Sequence, residues 1–147
     1  MDAPIKSVST DSALKESREV SSVNSINVGR VLAQVVHYIW TYLQVVKQEE
    51  LPTSTEIDFA VPCGALGNVT AGMVAKQMGL AIRKMLCGTN VNDIFHRAIS
   101  KGDFKRHPEM KRTLSEAINI QVPYNFERIL FLASGGDTAR VRDWMAK

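Results

Sequence analysis

Cysteine is scarce in this 147-residue chain: only Cys63 and Cys87 occur, too few for a disulfide framework. Each lies in an apolar or glycine-flanked segment, and both read as buried small apolar residues of a reducing compartment. No apolar run reaches the roughly 18 residues that a membrane-crossing helix needs. No charged-then-apolar leader with a small-residue cleavage site is visible. The expectation is a cytoplasmic chain with no membrane partner. Aromatic residues make up only 7%. The densest basic run, Lys105-Arg106-His107 followed by Lys111-Arg112, is interrupted by Glu109 and has only Phe104 nearby. A nucleic-acid surface needs a longer basic stripe or stacking aromatics, so this run reads as a solvated loop. The histidines, His37, His96 and His107, lack the i, i+4 pairing and neighbouring acids of a zinc site. His37 reads as packed against a neighbouring element. There is no Gly-x-Ser-x-Gly nucleophile elbow.

What is present is an ordinary globular composition. Hydrophobic residues are 45%, charged residues 22%, and the formal net charge is +3, enough for one domain with one core. A short helix is expected from Asp11 to Arg18. The clearest helix covers 27–46, with Asn27 as its cap and apolar residues at Val28, Val31, Leu32, Val35, Val36, Ile39, Leu43 and Val46. That spacing forms a broad face and predicts a largely buried helix. Ile57 to Pro62 reads as a strand, nearly all apolar, as in a parallel sheet covered on both faces. A glycine turn over Gly64 to Gly67 leads into a helix with Ala71, Val74, Ala75 and Met78 on one face and Gly79 at its end. Ile82 to Cys87 is a second strand, completing a unit of βαβ size. Beyond it, Asn92 and Asn125 are expected to cap helices. The segment 100–113 reads as a polar loop, and a turn of helix and a short strand are expected near Ile118 to Val122. Ser134-Gly135-Gly136-Asp137 separates the last two helices.

Two stretches could carry chemistry. Gly64-Ala65-Leu66-Gly67-Asn68 follows a strand and opens a helix, where unpaired N–H groups bind anions and glycines permit close approach. No P-loop lysine follows, and the third glycine of a dinucleotide fingerprint is absent. An ordinary tight turn between strand and helix has the same pattern. Asn24, Ser25 and Asn27 gather just before the long helix, where their polar groups could hold a substrate or simply cap and turn the chain. Arg30, on the first turn, could grip a phosphate or carboxylate, pair with an acid, or face solvent.

Taken together, four motifs in order make the chain resemble the threonine synthase family, of pyridoxal-phosphate fold type II. They are Val23-Asn24-Ser25-Ile26-Asn27 with Arg30-Val31-Leu32-Ala33-Gln34, then Val61-Pro62-Cys63-Gly64, then Thr89-Asn90-Val91-Asn92-Asp93-Ile94, then Asn125-Phe126-Glu127-Arg128. The resemblance covers about residues 20–137. It implies that Gly64, Ala65, Leu66, Gly67 and Asn68 cradle the phosphate of pyridoxal 5'-phosphate. It further implies that Asn24, Ser25, Asn27 and Arg30 lie on the substrate side. The family's loop is Gly-Asn-Phe-Gly-Asp. Here the glycines are kept, while Ala65 replaces its Asn and Asn68 its Asp. These departures, with Gly102-Asp103-Phe104 and Gln121-Val122-Pro123-Tyr124-Asn125, resemble the threonine synthase-like phospholyase branch. Its members eliminate phosphate from a phosphorylated hydroxy amino acid to give a 2-keto acid and ammonia.

The resemblance also implies an upstream Ser/Ala-Phe-Lys-Asp motif whose lysine holds the cofactor covalently. The one Phe-Lys pair here, Phe104-Lys105, lies downstream of the glycine loop and is followed by Arg106, so it reads as a decoy. The expected fold is α/β, a partial open parallel sheet with helices on both faces, formed by residues 1–147 as a single incomplete domain. Three function classes follow: a piece of a phospholyase or threonine synthase, a gene fragment without function of its own, and a short non-catalytic isoform that binds a protein. The oligomeric state is not legible in the sequence.

Overall fold

The computed structural model describes residues 7–8, 10–18 and 24–146. Val23, named in the first motif, lies outside the described residues. Helix α1, Ser12–Ser17, is capped by Asp11, whose Oδ1 accepts from the Leu14 N–H at 2.9 Å. It buries no residue. Helix α2, Val28–Gln48, starts where the Asn27 side chain accepts from the Gly29 N–H at 2.8 Å. Its buried residues are Val31, Val35, Tyr38, Tyr42 and Val46, a single stripe at helical spacing. The Tyr42 hydroxyl lies 2.6 Å from the Thr53 carbonyl and 3.0 Å from that of Thr55, folding the following loop back onto the helix.

The broad burial expected for α2 does not hold. Val28, Leu32, Val36, Trp40 and Leu43 are exposed, because the described elements pack against one side of the helix. His37 is exposed for the same reason.

Strands β1, Ile57–Pro62, and β2, Ile82–Gly88, pair in parallel, with Val61 opposite Cys87 and Pro62 opposite Gly88. Parallel strands need a crossover, which helix α3, Gly67–Gln77, supplies. α3 lies close against α2 and the sheet at Gly72. A Cβ built there would fall 2.7 Å from Cζ of Tyr38 and 2.4 Å from Cε of Met85, so only glycine allows this approach. After α3, Gly79 takes φ +101°, the left-handed conformation that ends a helix. Met78, expected on the buried face, is exposed instead. Ala60, Pro62 and Leu86 are exposed as well, so the described elements do not cover both faces of the sheet. The class is nevertheless the expected mixed α/β with a parallel sheet.

Helix α4, Ile94–Lys101, ends at Gly102 with φ +67°. A 3₁₀ turn follows at Glu116–Ile118, then α5, Phe126–Ala133, and α6, Thr138–Met145. The short strand expected near Ile118 to Val122 is not formed; after the 3₁₀ turn the chain is irregular there. The core joins Val31, Val35 and Tyr38 of α2 to Val61, Leu66, Ala71, Ile82, Phe95, Phe126 and Ile129. Phe104 stacks on Phe126 with ring centroids 4.7 Å apart. The aromatic half of the Phe104-Lys105 pair is therefore a packing residue, and Lys105 faces solvent.

Candidate functional site

The loop between β1 and α3 is where the fold exposes backbone donors. Leu66 precedes the helix at φ 65°, a left-handed conformation uncommon for a residue with a side chain. No side chain caps α3. A helix leaves its first N–H groups without internal partners, so those of Gly67 and the next residues are available to an anion.

This helix start opens on a pocket of about 360 Å³. Its floor is Gly64 to Asn68, one wall is Asn24, Ser25 and Arg30, and the opposite wall is Ala117, Ile118, Ile120 and Tyr124. Eight of the nine residues singled out in the sequence thus meet around one space. Asn27 is the exception: it caps α2 and does not line the pocket.

The walls are held by residues that motif reading assigned to other tasks. Asn125 does not cap α5 with its side chain. It is fully buried, and its amide nitrogen donates to the carbonyls of Ser25 and Ala65, each at 2.9 Å. One side chain therefore ties the polar turn before α2 to the glycine loop, about 100 and 60 residues away. Arg128, one helical turn on, donates to Asn125 Oδ1 and, at 2.6 Å, to the Ile26 carbonyl. The Asn-Phe-Glu-Arg motif is thus a clasp on two edges of the pocket.

A second network sets the far wall. Asn92, expected as a helix cap, is buried. Its amide donates to the Lys111 carbonyl at 2.8 Å, and its Oδ1 accepts from the Lys111 N–H at 2.9 Å. Asn90 donates to Asn119 Oδ1 at 2.7 Å and Thr113 Oγ1 at 3.1 Å. These bonds hold the 111–119 segment so that Ile118 sits over Gly64. A Cβ at Gly64 would fall 3.0 Å from the Ile118 Cα.

Two polar side chains face the loop from α2. The Tyr38 hydroxyl donates to Asn68 Oδ1 at 2.5 Å. Burial pushes the Tyr38 phenol well above its ordinary value, so it stays a donor, and Asn68 keeps its NH₂ on its other edge. Gln34 Oε1 is buried without a hydrogen-bond partner among the described residues, and it lies 3.8 Å from the position of a Cβ on Gly67. Its position in the Arg-Val-Leu-Ala-Gln motif was the available signal for it. Among the cysteines, Cys63 is buried as expected, but Cys87 is exposed because no described element covers the end of β2.

No family model matches the chain. Comparison with individual proteins is decisive. Threonine synthase-like 2 of Mus musculus is 42% identical over 145 residues, 99% of this chain and 30% of that protein. The crystal structure of pyridoxal-phosphate-bound threonine synthase from Brucella melitensis superposes with a TM-score of 0.84 at 37% identity, over 97% of this chain and 29% of that one. The chain belongs to the threonine synthase-like family. Threonine synthase of Saccharomyces cerevisiae is 37% identical over 139 residues, 90% of this chain and 26% of that protein. This threonine synthase-like chain spans about 30% of the length of the curated relatives it matches. The fold is accordingly a part of the type II pyridoxal-phosphate fold that the motifs implied.

Proposed function

We propose that this chain supplies the phosphate cradle and the substrate-side turn of a pyridoxal-phosphate-dependent threonine synthase-like enzyme, as one incomplete domain. The observation that carries the reading is the uncapped N-terminus of α3, which opens on the same pocket as Asn24, Ser25 and Arg30. The residues fit a phosphate-bearing cofactor. Gly64 and Gly67 allow close approach, the first N–H groups of α3 would face a dianion, and the buried Gln34 Oε1 offers an acceptor to a ligand donor. When bound, pyridoxal phosphate supplies an electron sink for the substrate's α-carbon. Within this proposal the chain's own residues bind and orient. Gly64, Ala65, Leu66, Gly67 and Asn68 hold the phosphate through backbone donors and the Asn68 amide. Arg30 meets the substrate's anionic group, and Asn24 and Ser25 fix its orientation.

Within the family we favour a phospholyase that eliminates phosphate from O-phosphohomoserine or O-phosphothreonine, in the cytoplasm. Ala65 and Asn68 support this choice, since they replace the Asn and Asp of the loop in threonine synthase proper. Asn68 also takes a carboxylate away from the phosphate site. The test is to supply each phosphorylated amino acid to a full-length protein containing this chain. Release of phosphate with a 2-keto acid and ammonia supports the lyase. Threonine as product would assign a synthase, and no turnover would favour a non-catalytic binding role. The 147-residue chain by itself should not hold the cofactor covalently. Borohydride reduction in the presence of pyridoxal phosphate is expected to label no single lysine, and stoichiometric labelling of Lys105 would overturn that expectation.

A further inference from the structure

We infer that Gln34 makes the anion cradle selective for hydrogen phosphate over sulfate, its side-chain oxygen accepting the P–O–H hydrogen that sulfate lacks. The inference rests on the reading of the α3 start as an anion site, and it names the species that this site prefers when free of cofactor.

Gln34 lines the pocket from α2, one turn after Arg30. Its Oε1 is buried with no hydrogen-bond partner among the described residues, and it lies 3.8 Å from where a Cβ on Gly67 would fall. Buried acceptors are nearly always paired, because an unpaired one has lost its bond to water and gained nothing. The other side-chain amide oxygens around the pocket are engaged. Asn24 Oδ1 accepts from the Ile26 N–H at 2.9 Å, and Asn68 Oδ1 from the Tyr38 hydroxyl at 2.5 Å. The Ser25 and Tyr124 hydroxyls can give or accept, whereas an amide oxygen only accepts. Among the described residues no carboxylate lines the pocket, and Arg30 is its one charged side chain.

Hydrogen phosphate and sulfate are tetrahedral dianions of nearly the same size. The N–H groups at the start of α3, the Asn68 amide and Arg30 offer donors to both. The two ions differ in that hydrogen phosphate carries a hydroxyl hydrogen. With hydrogen phosphate, Gln34 Oε1 gains the donor it lacks. With sulfate, the same oxygen meets only oxygen lone pairs, and a site that hydrogen-bonds a ligand hydroxyl rejects the analogue without one. A phosphate monoester above its second ionisation, at about pH 6, has no such hydrogen either. Free hydrogen phosphate thus adds one contact to those an ester dianion makes at α3, and it competes with the ester for the cradle.

The test titrates inorganic phosphate, sulfate and ethyl phosphate separately into the 147-residue chain at about pH 8, where the ester is a dianion. It follows the backbone amide resonances of Gly67, Asn68 and Val69. Inorganic phosphate should bind roughly tenfold more tightly than sulfate or ethyl phosphate, the worth of one hydrogen bond to a charged ligand. In Gln34→Leu that advantage should vanish while sulfate affinity stays, which also shows that the variant keeps its cradle. Should the variant not fold, the order of the three anions on the unaltered chain still decides. Equal binding of all three would leave the anion site standing and overturn the inference, as would an advantage that survives in Gln34→Leu. No shift at these amides with any of the anions would remove the anion site itself, and the inference with it.

Discussion

Along α2, Val31, Val35, Tyr38, Tyr42 and Val46 are buried. Leu32, Val36, Trp40 and Leu43, on neighbouring rows of the same helix, are between 48% and 64% exposed. Both rows are apolar, and the helical period treats them alike. They differ in what lies beyond them. The inner row meets α3, β1 and the glycine loop, and Tyr38 adds a hydrogen bond to Asn68. No described element covers the outer row. Apolar periodicity therefore reports that a helix has a face to bury, and only the fold says which face is buried in this chain. The inner face is also the one that builds the candidate site, since Arg30, Val31 and Gln34 line the pocket.

Four substitutions sharpen this contrast. Tyr38→Ala removes a buried ring packed against Phe59 and Gly72. It should cost about 3–5 kcal/mol in urea denaturation. Asn125→Ala strips the clasp from the Ser25 carbonyl and from Arg128, and should cost about 2–3 kcal/mol. It should also weaken phosphate binding, because both pocket edges lose their tie. Tyr38→Phe keeps the packing and removes only the donor to Asn68, for about 1 kcal/mol. On the outer row, Val36→Lys should change stability by no more than about 0.5 kcal/mol while lowering self-association in sedimentation. A loss at Val36 as large as that at Tyr38 would break the distinction between the two faces.

Most elements were legible from local signals. Asp11 and Asn27 cap as their types suggest, Gly79 and Gly102 end helices at positive φ, and β1, α3 and β2 follow the order read from the sequence. The errors share a cause. Asn92 and Asn125 stand just before helices, where a capping residue is expected, yet their side chains reach across to Lys111 and to Ser25 and Ala65. Cap chemistry is local and can be read from spacing, whereas a partner about 100 residues away in sequence is set by tertiary packing. Cys87 was misjudged in the same way, since an apolar strand sequence does not say which end of the strand lies covered. The site was legible as two stretches, Asn24 to Arg30 and Gly64 to Asn68. The clasp that joins them, Asn125 with Arg128, appeared only as a motif without a role.

The account's central claim is that the start of α3 is an anion site. It is tested most directly by following backbone amide resonances of the chain as inorganic phosphate is added. Saturable shifts centred on Gly67, Asn68 and Val69, weakened in Asn125→Ala, are the predicted result. Shifts confined to the exposed lysines and arginines of 105–112, with the α3 amides unmoved, would contradict it.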